Sequence, residues 1–114
     1  MSRRFVALVA LAACALVPAS AGASGATRTV TLHDNYFSPG KLTVKAGTTI
    51  KWVWAFGLTN THDVMLGKHP KGVTPFMSDY AAGDYSFKRT LKKVGTYTFE
   101  CDLHQGMKMT IVVK

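Results

Sequence analysis

The 114-residue chain carries 14 basic and 6 acidic side chains, a formal charge of +8 with its four histidines neutral. Its length admits one domain, and 47% apolar with 18% charged residues describes a packed globule and excludes a disordered chain. Two cysteines, Cys14 and Cys101, exclude a disulfide-rich framework and a four-cysteine zinc site.

The N-terminus reads as an export signal. Arg3 and Arg4 precede an unbroken apolar run from Phe5 to Val17, and Ala19, Ser20 and Ala21 form an A-x-A cleavage site. The run is shorter than the roughly 20 residues of a membrane-spanning helix. Leu11-Ala12-Ala13-Cys14 also fits a lipoprotein pattern in which Cys14 is lipidated, and the paired arginines resemble a twin-Arg signal without the rest of that motif. The expected organisation is a signal peptide over 1–21, a flexible leader over 22–26 and one domain over 27–114. An exported product is expected, secreted, periplasmic or held at the cell envelope, with membrane attachment only through Cys14.

Cleavage after Ala21 leaves 93 residues with 12 basic and 6 acidic side chains, a net +6. Such a surface suits an anionic partner. The cations are spread along the chain, however, and the one local cluster, Lys88, Arg89, Lys92 and Lys93, reads as a solvated hairpin end. No nucleic-acid motif accompanies them, so nucleic acid is not an expected partner.

From residue 27 the sequence alternates with period two. Val30 and Leu32, then Leu42 and Val44, then Ile50, Trp52 and Trp54 place apolar side chains on one face, with turns at Pro39-Gly40 and Ala46-Gly47. His62 to Leu66 reads as a fourth strand. Tyr85–Thr90 and Thr96–Cys101 follow, joined across Lys92 to Gly95, and Thr110–Val113 closes the chain. Gly67 to Gly83, with Pro70, Gly72 and Pro75, is the one long irregular segment and could hold a short helical turn. Seven short strands predict an all-β, antiparallel β-sandwich.

The chemistry lies near the C-terminus. Tyr97, Phe99 and Cys101 share one strand face, so Cys101 points inward; His104, Met107 and Met109 follow before the last strand. A thiolate, an imidazole and a thioether within nine residues form a soft ligand set that suits copper rather than calcium, magnesium or manganese. A trigonal copper site needs a second imidazole. His62 is the best placed, at the start of a buried-type strand, with His33 at a strand end and His69 in the long loop as the alternatives. Met65 and Met77 read as packing residues.

These pieces together resemble the cupredoxins, small blue-copper proteins of the plastocyanin, pseudoazurin and amicyanin kind. The matching segments are Tyr36-Phe37-Ser38-Pro39, Leu42 to Gly47, Ile50 to Trp54, His62-Asp63-Val64, and Gly95 through Cys101 to Met107. The resemblance implies a Greek-key β-sandwich of seven to eight strands. It also implies one type 1 copper ion held by His62, Cys101, His104 and an axial methionine, and one-electron transfer without catalysis. Counting back from the last strand, Met107 falls at the family's axial position, and Met109, which the longer plastocyanin loop would select, is the alternative. Two departures bear on tuning. Leu103 stands where many relatives have Pro, so a backbone N–H is available near the Cys101 sulfur, and Asp63 stands where relatives often have Asn. The implied partner is a transient redox protein, acidic by charge complementarity, met by a monomer whose exposed ligand edge is His104, with Gly106, Phe56 and Leu58 as an apolar rim. The competing reading is an extracytoplasmic copper carrier or scavenger with no electron-shuttle role.

Overall fold

Residues 25–114 are described by a computed structural model. The expected signal peptide, Cys14 and the first part of the expected leader lie outside these residues.

Eight strands and no helix are present among the described residues: β1 (Thr27–His33), β2 (Tyr36–Ser38), β3 (Lys41–Val44), β4 (Thr48–Trp54), β5 (Met65–Leu66), β6 (Ser86–Leu91), β7 (Gly95–Glu100) and β8 (Lys108–Val113). They form two four-stranded sheets, ordered β2-β1-β4-β6 and β3-β8-β7-β5. The alternation along β4 is complete, Thr48, Ile50, Trp52 and Trp54 being buried and the residues between them half-buried. β7 and β8 repeat it with Tyr97 and Phe99, and with Met109, Ile111 and Val113.

Facing apolar rows close the core at Trp52, which is fully buried with its ring 4.8 Å from Phe99 and 5.8 Å from Phe87. Contacts of this kind join both sheets, so truncation of Trp52 to Ala would cost roughly 3–5 kcal/mol. Arg89 on the edge strand covers the core margin, its guanidinium 4.4 Å from the Phe87 ring centre.

Three expectations are corrected, and one strand is added. The sheets are mixed rather than antiparallel, because β1 runs parallel to β4 and β3 parallel to β8; alternation reveals which face is buried but not which strand is the neighbour. The strand expected over His62–Leu66 is reduced to Met65–Leu66, and His62 instead makes an isolated bridge with Ala81. β6 and β7 do not form a hairpin, since they belong to different sheets and Lys92–Val94 crosses from one sheet to the other. The Tyr36–Ser38 segment is a strand paired with β1.

The sandwich has two chemically different ends. At one end lie the β1–β2 turn, the loop from Ala55 to Val64 and the loop from Cys101 to Met107. At the other, Ala46 N–H donates to the Lys114 carbonyl at 3.0 Å, Gly47 N–H to Leu91 at 2.8 Å and Thr49 N–H to Ala26 at 3.0 Å. The strands β4 and β7 start at this second end and deliver Trp54 and Glu100 to the first.

Candidate metal centre

Cys101 ends the inward alternation of β7 and is buried. Its backbone N–H donates to the Met107 carbonyl at 3.0 Å, while His104 N–H donates to the Cys101 carbonyl and Met107 N–H to the His104 carbonyl. These three bonds fold the Cys101–Met107 loop back on itself, and Gly106, at φ 86°, supplies the left-handed residue that the return requires. His62 arrives from the other sheet connection. Its N–H and carbonyl both pair with Ala81, and Trp54 Nε1–H donates to its carbonyl at 3.1 Å.

The result brings three sequence-predicted ligands to one point. The donor atoms of His62, Cys101 and His104 all lie within 4.8 Å of one another. The Cys101 sulfur is 3.9 Å from His62 Nδ1 and 3.4 Å from His104 Nδ1. Both imidazoles therefore present Nδ1 to the thiol, and their ring centres are 4.6 Å apart. His62 is fully buried, whereas His104 is half-exposed. His33 stacks on Tyr36 with ring centres 4.6 Å apart, and His69 is exposed beside Pro70, so neither belongs to this group.

Met109 is taken up elsewhere. Its sulfur accepts the Trp52 Nε1–H at 3.5 Å, inside the core. Met107 is as deeply buried, its carbonyl accepts the Cys101 N–H and closes the ligand loop, and with the Met109 sulfur engaged by Trp52 it remains the axial candidate. Met65, paired opposite Glu100, lines a shallow groove with Cys101, His104 and Gly106.

Two acids support the donors, and the sequence singled out only one. Asp63 is fully buried and accepts the Asp102 N–H on Oδ1 at 2.7 Å, tying the His62 segment to the Cys101 loop; its Oδ2 is buried without a partner. Asp34, which reads in sequence as part of a turn, gathers the other side of the site. It accepts Thr59 N–H at 3.0 Å, Thr59 Oγ1–H at 2.8 Å and Asn60 N–H at 3.2 Å, and lies 2.9 Å from His62 Nε2. The His62 contact, followed by the Thr59 bonds, holds the Asp34 carboxyl well below the usual carboxylate range. The only sequence signal was Asp34-Asn35 as a turn dipeptide, with Asn35 at φ 71° in the left-handed region that Asn tolerates.

Burial pushes the Cys101 thiol up, and the Asp63 carboxylate pushes the same way, while the backbone N–H groups of Asp63 and Leu103 hydrogen-bond the sulfur and oppose the rise. Tyr80 Oη–H donates to Asp102 Oδ2 at 2.9 Å, which raises the phenol, so Asp102 is held by its amide and by its side chain.

Two aligned Nδ1 atoms, a buried thiol and a buried thioether on an adjacent strand entrance fit a soft, one-electron metal. The set contains no hard oxygen donor, and its mixture of imidazole and sulfur is the one copper prefers.

Comparison with known proteins agrees with this chemistry. The family described as copper binding proteins, plastocyanin/azurin family, matches residues 26–114. Among solved structures, a reduced Cu(I) form of an amicyanin mutant is 24% identical with a TM-score of 0.66, over 81% of this chain and 85% of that one. An oxidised amicyanin mutant is 23% identical, with a TM-score of 0.66 and the same coverage. A copper-containing nitrite reductase from Thermus scotoductus is 27% identical with a TM-score of 0.67, over 81% of this chain but 24% of that one. No curated protein matches this chain. With its mixed two-sheet sandwich and His62, Cys101, His104 and Met107 as the candidate type 1 site, the chain belongs to the plastocyanin/azurin family of copper binding proteins.

Proposed function

We propose that the protein is an exported electron carrier that passes single electrons between redox partners through one type 1 copper. The observation that carries this reading is the convergence of His62 Nδ1, Cys101 Sγ and His104 Nδ1 within 4.8 Å at one end of the sandwich. Bound copper supplies a one-electron Cu(I)/Cu(II) couple. The chain supplies rigidity: His62 is pinned by Ala81, Trp54 and Asp34, and the Cys101 loop by its own backbone bonds and by Asp63. Donors that do not have to move, with Cys101 and His62 buried, keep the rearrangement between oxidation states small. The same set leaves no donor position open for a substrate, which favours a carrier over an enzyme.

Half-exposed His104 is the edge through which an electron enters or leaves. Leu103, 50% exposed, and fully exposed Phe56 flank that end as an apolar contact for a transient redox protein. Such encounters bury a total below about 1,200 Å².

The test is to add Cu(II) to the purified mature protein and record its visible spectrum and voltammogram. An intense thiolate band with reversible one-electron cycling, lost in Cys101→Ser, supports the carrier. Tight Cu(I) binding without that band would establish the scavenger instead.

A further inference from the structure

The net positive charge is not spread over the molecule. All six acidic residues lie in the half that holds the metal centre: Asp34 and Asp63 touch the site, Asp102 and Glu100 lead out of β7, Asp79 bonds Tyr85, and Asp84 lines a groove with Trp54 and Phe56. The charged side chains described at the opposite end are all cationic. Lys45 sits in the turn before β4, Arg28 lines a groove with Lys45 and Val44, and Lys92 and Lys93 form the crossover between sheets. Lys93 Nζ donates to the Lys71 carbonyl at 3.1 Å, which draws the long loop into the same cluster. At the tip, beside the two lysines, Val94 is 64% exposed.

We propose that this end is a docking face for an anionic lipid surface, on which Arg28, Lys45, Lys71, Lys92 and Lys93 meet lipid phosphates while Val94 enters the headgroup layer, so that the metal centre faces away from the bilayer. Three observations favour lipid over an acidic protein. An end whose charged side chains are basic, with an exposed Val94 beside Lys92 and Lys93, matches a surface that is charged outside and apolar beneath. A redox protein bound here would sit the length of β4, roughly 20 Å, from the donors, too far along the sandwich to exchange electrons through His104. Finally, Ala26, whose carbonyl accepts the Thr49 N–H, lies at this end, so an N-terminal attachment, where one is kept, would join the domain on the same face.

The proposal is independent of electron transfer, because vesicle binding requires no redox turnover. The copper-loaded protein is sedimented with phosphatidylglycerol-containing vesicles and with pure phosphatidylcholine vesicles, across a salt series. Binding is expected only to the anionic vesicles and is expected to fall with salt. Lys92→Glu with Lys93→Glu should weaken it at least about tenfold, and Val94→Asp should weaken it too, with the visible copper band unchanged as the check on folding. Lys41→Glu with Lys108→Glu, an equal charge reversal outside this end, should change it by less than about threefold. No sedimentation with anionic vesicles overturns the proposal. So does an equal loss in the two double variants, which would show a response to net charge alone. Binding to soluble polyglutamate without binding to vesicles would assign the face to an acidic protein and overturn it as well.

Discussion

Asp34 Oδ1 lies 2.9 Å from His62 Nε2 at the back of the ring whose Nδ1 faces the Cys101 sulfur. With Nδ1 committed to the metal side, Nε2 carries the proton and donates to the carboxylate. This contact fixes the tautomer and ring angle, and it makes the imidazole a stronger donor.

Asp34→Asn keeps an oxygen at the same place but removes the charge. The prediction is that the visible band is retained, the reduction potential rises because Cu(II) loses more donor strength than Cu(I), and copper affinity falls by roughly 10–100-fold. Voltammetry and competition with a chelator measure both, and an unchanged potential would reduce Asp34 to a loop tie through Thr59 and Asn60.

Asp63→Asn tests the second acid. An amide retains the acceptor for Asp102 N–H and removes the buried, unpartnered Oδ2 charge beside the thiol. The carboxylate raises the Cys101 thiol, so its removal lets the thiol of the copper-free protein ionise at lower pH. In the loaded protein the same loss of negative charge favours Cu(I), and the potential rises. Ultraviolet titration of the thiolate and voltammetry should move in these two directions; a thiol that ionises at higher pH would contradict the assignment.

The two methionines separate by different measurements. Met107→Leu should raise the potential by replacing the axial donor with an apolar group. Met109→Leu should leave the potential nearly unchanged and lower stability by roughly 1–2 kcal/mol, since the buried Trp52 Nε1–H then has no acceptor. Denaturation midpoints and voltammograms of the pair check this, and the reverse ranking would place Met109 at the metal.

The residues that were legible in sequence are those whose position follows from local periodicity. Cys101 faces inward because Tyr97 and Phe99 do, and His104 and Met107 follow on a loop too short to leave the site. His62 was legible as a buried position, although its backbone partner is Ala81 rather than a continuing strand. What was hidden depends on contacts between distant segments. The Asp34–His62 pair joins residues 28 positions apart, and nothing in Asp34-Asn35 signals more than a turn. The parallel pairing of β1 with β4 is hidden for the same reason: burial alternation is identical whichever direction the neighbour runs.

The location of the lysines changes what their charge can do for electron transfer. Net charge alone predicts that a partner of opposite sign is drawn in and that salt slows the encounter. Lys92 and Lys93, however, stand at the end where β7 begins, and the donors stand past its far end, a separation of roughly 20 Å over the strand. At about 0.15 M ionic strength the screening length is roughly 8 Å, so the field of these lysines is largely gone where His104 meets a partner. Reversing both to Glu should therefore alter the bimolecular rate with a small soluble redox protein by less than about twofold at that salt, for an acidic and for a basic partner alike. Stopped-flow rates for the variant and the parent, each over a salt series, decide the matter. A fall of about tenfold with the acidic partner would show that the basic end steers productive encounters, and that the partner approaches along the sandwich rather than onto the copper end.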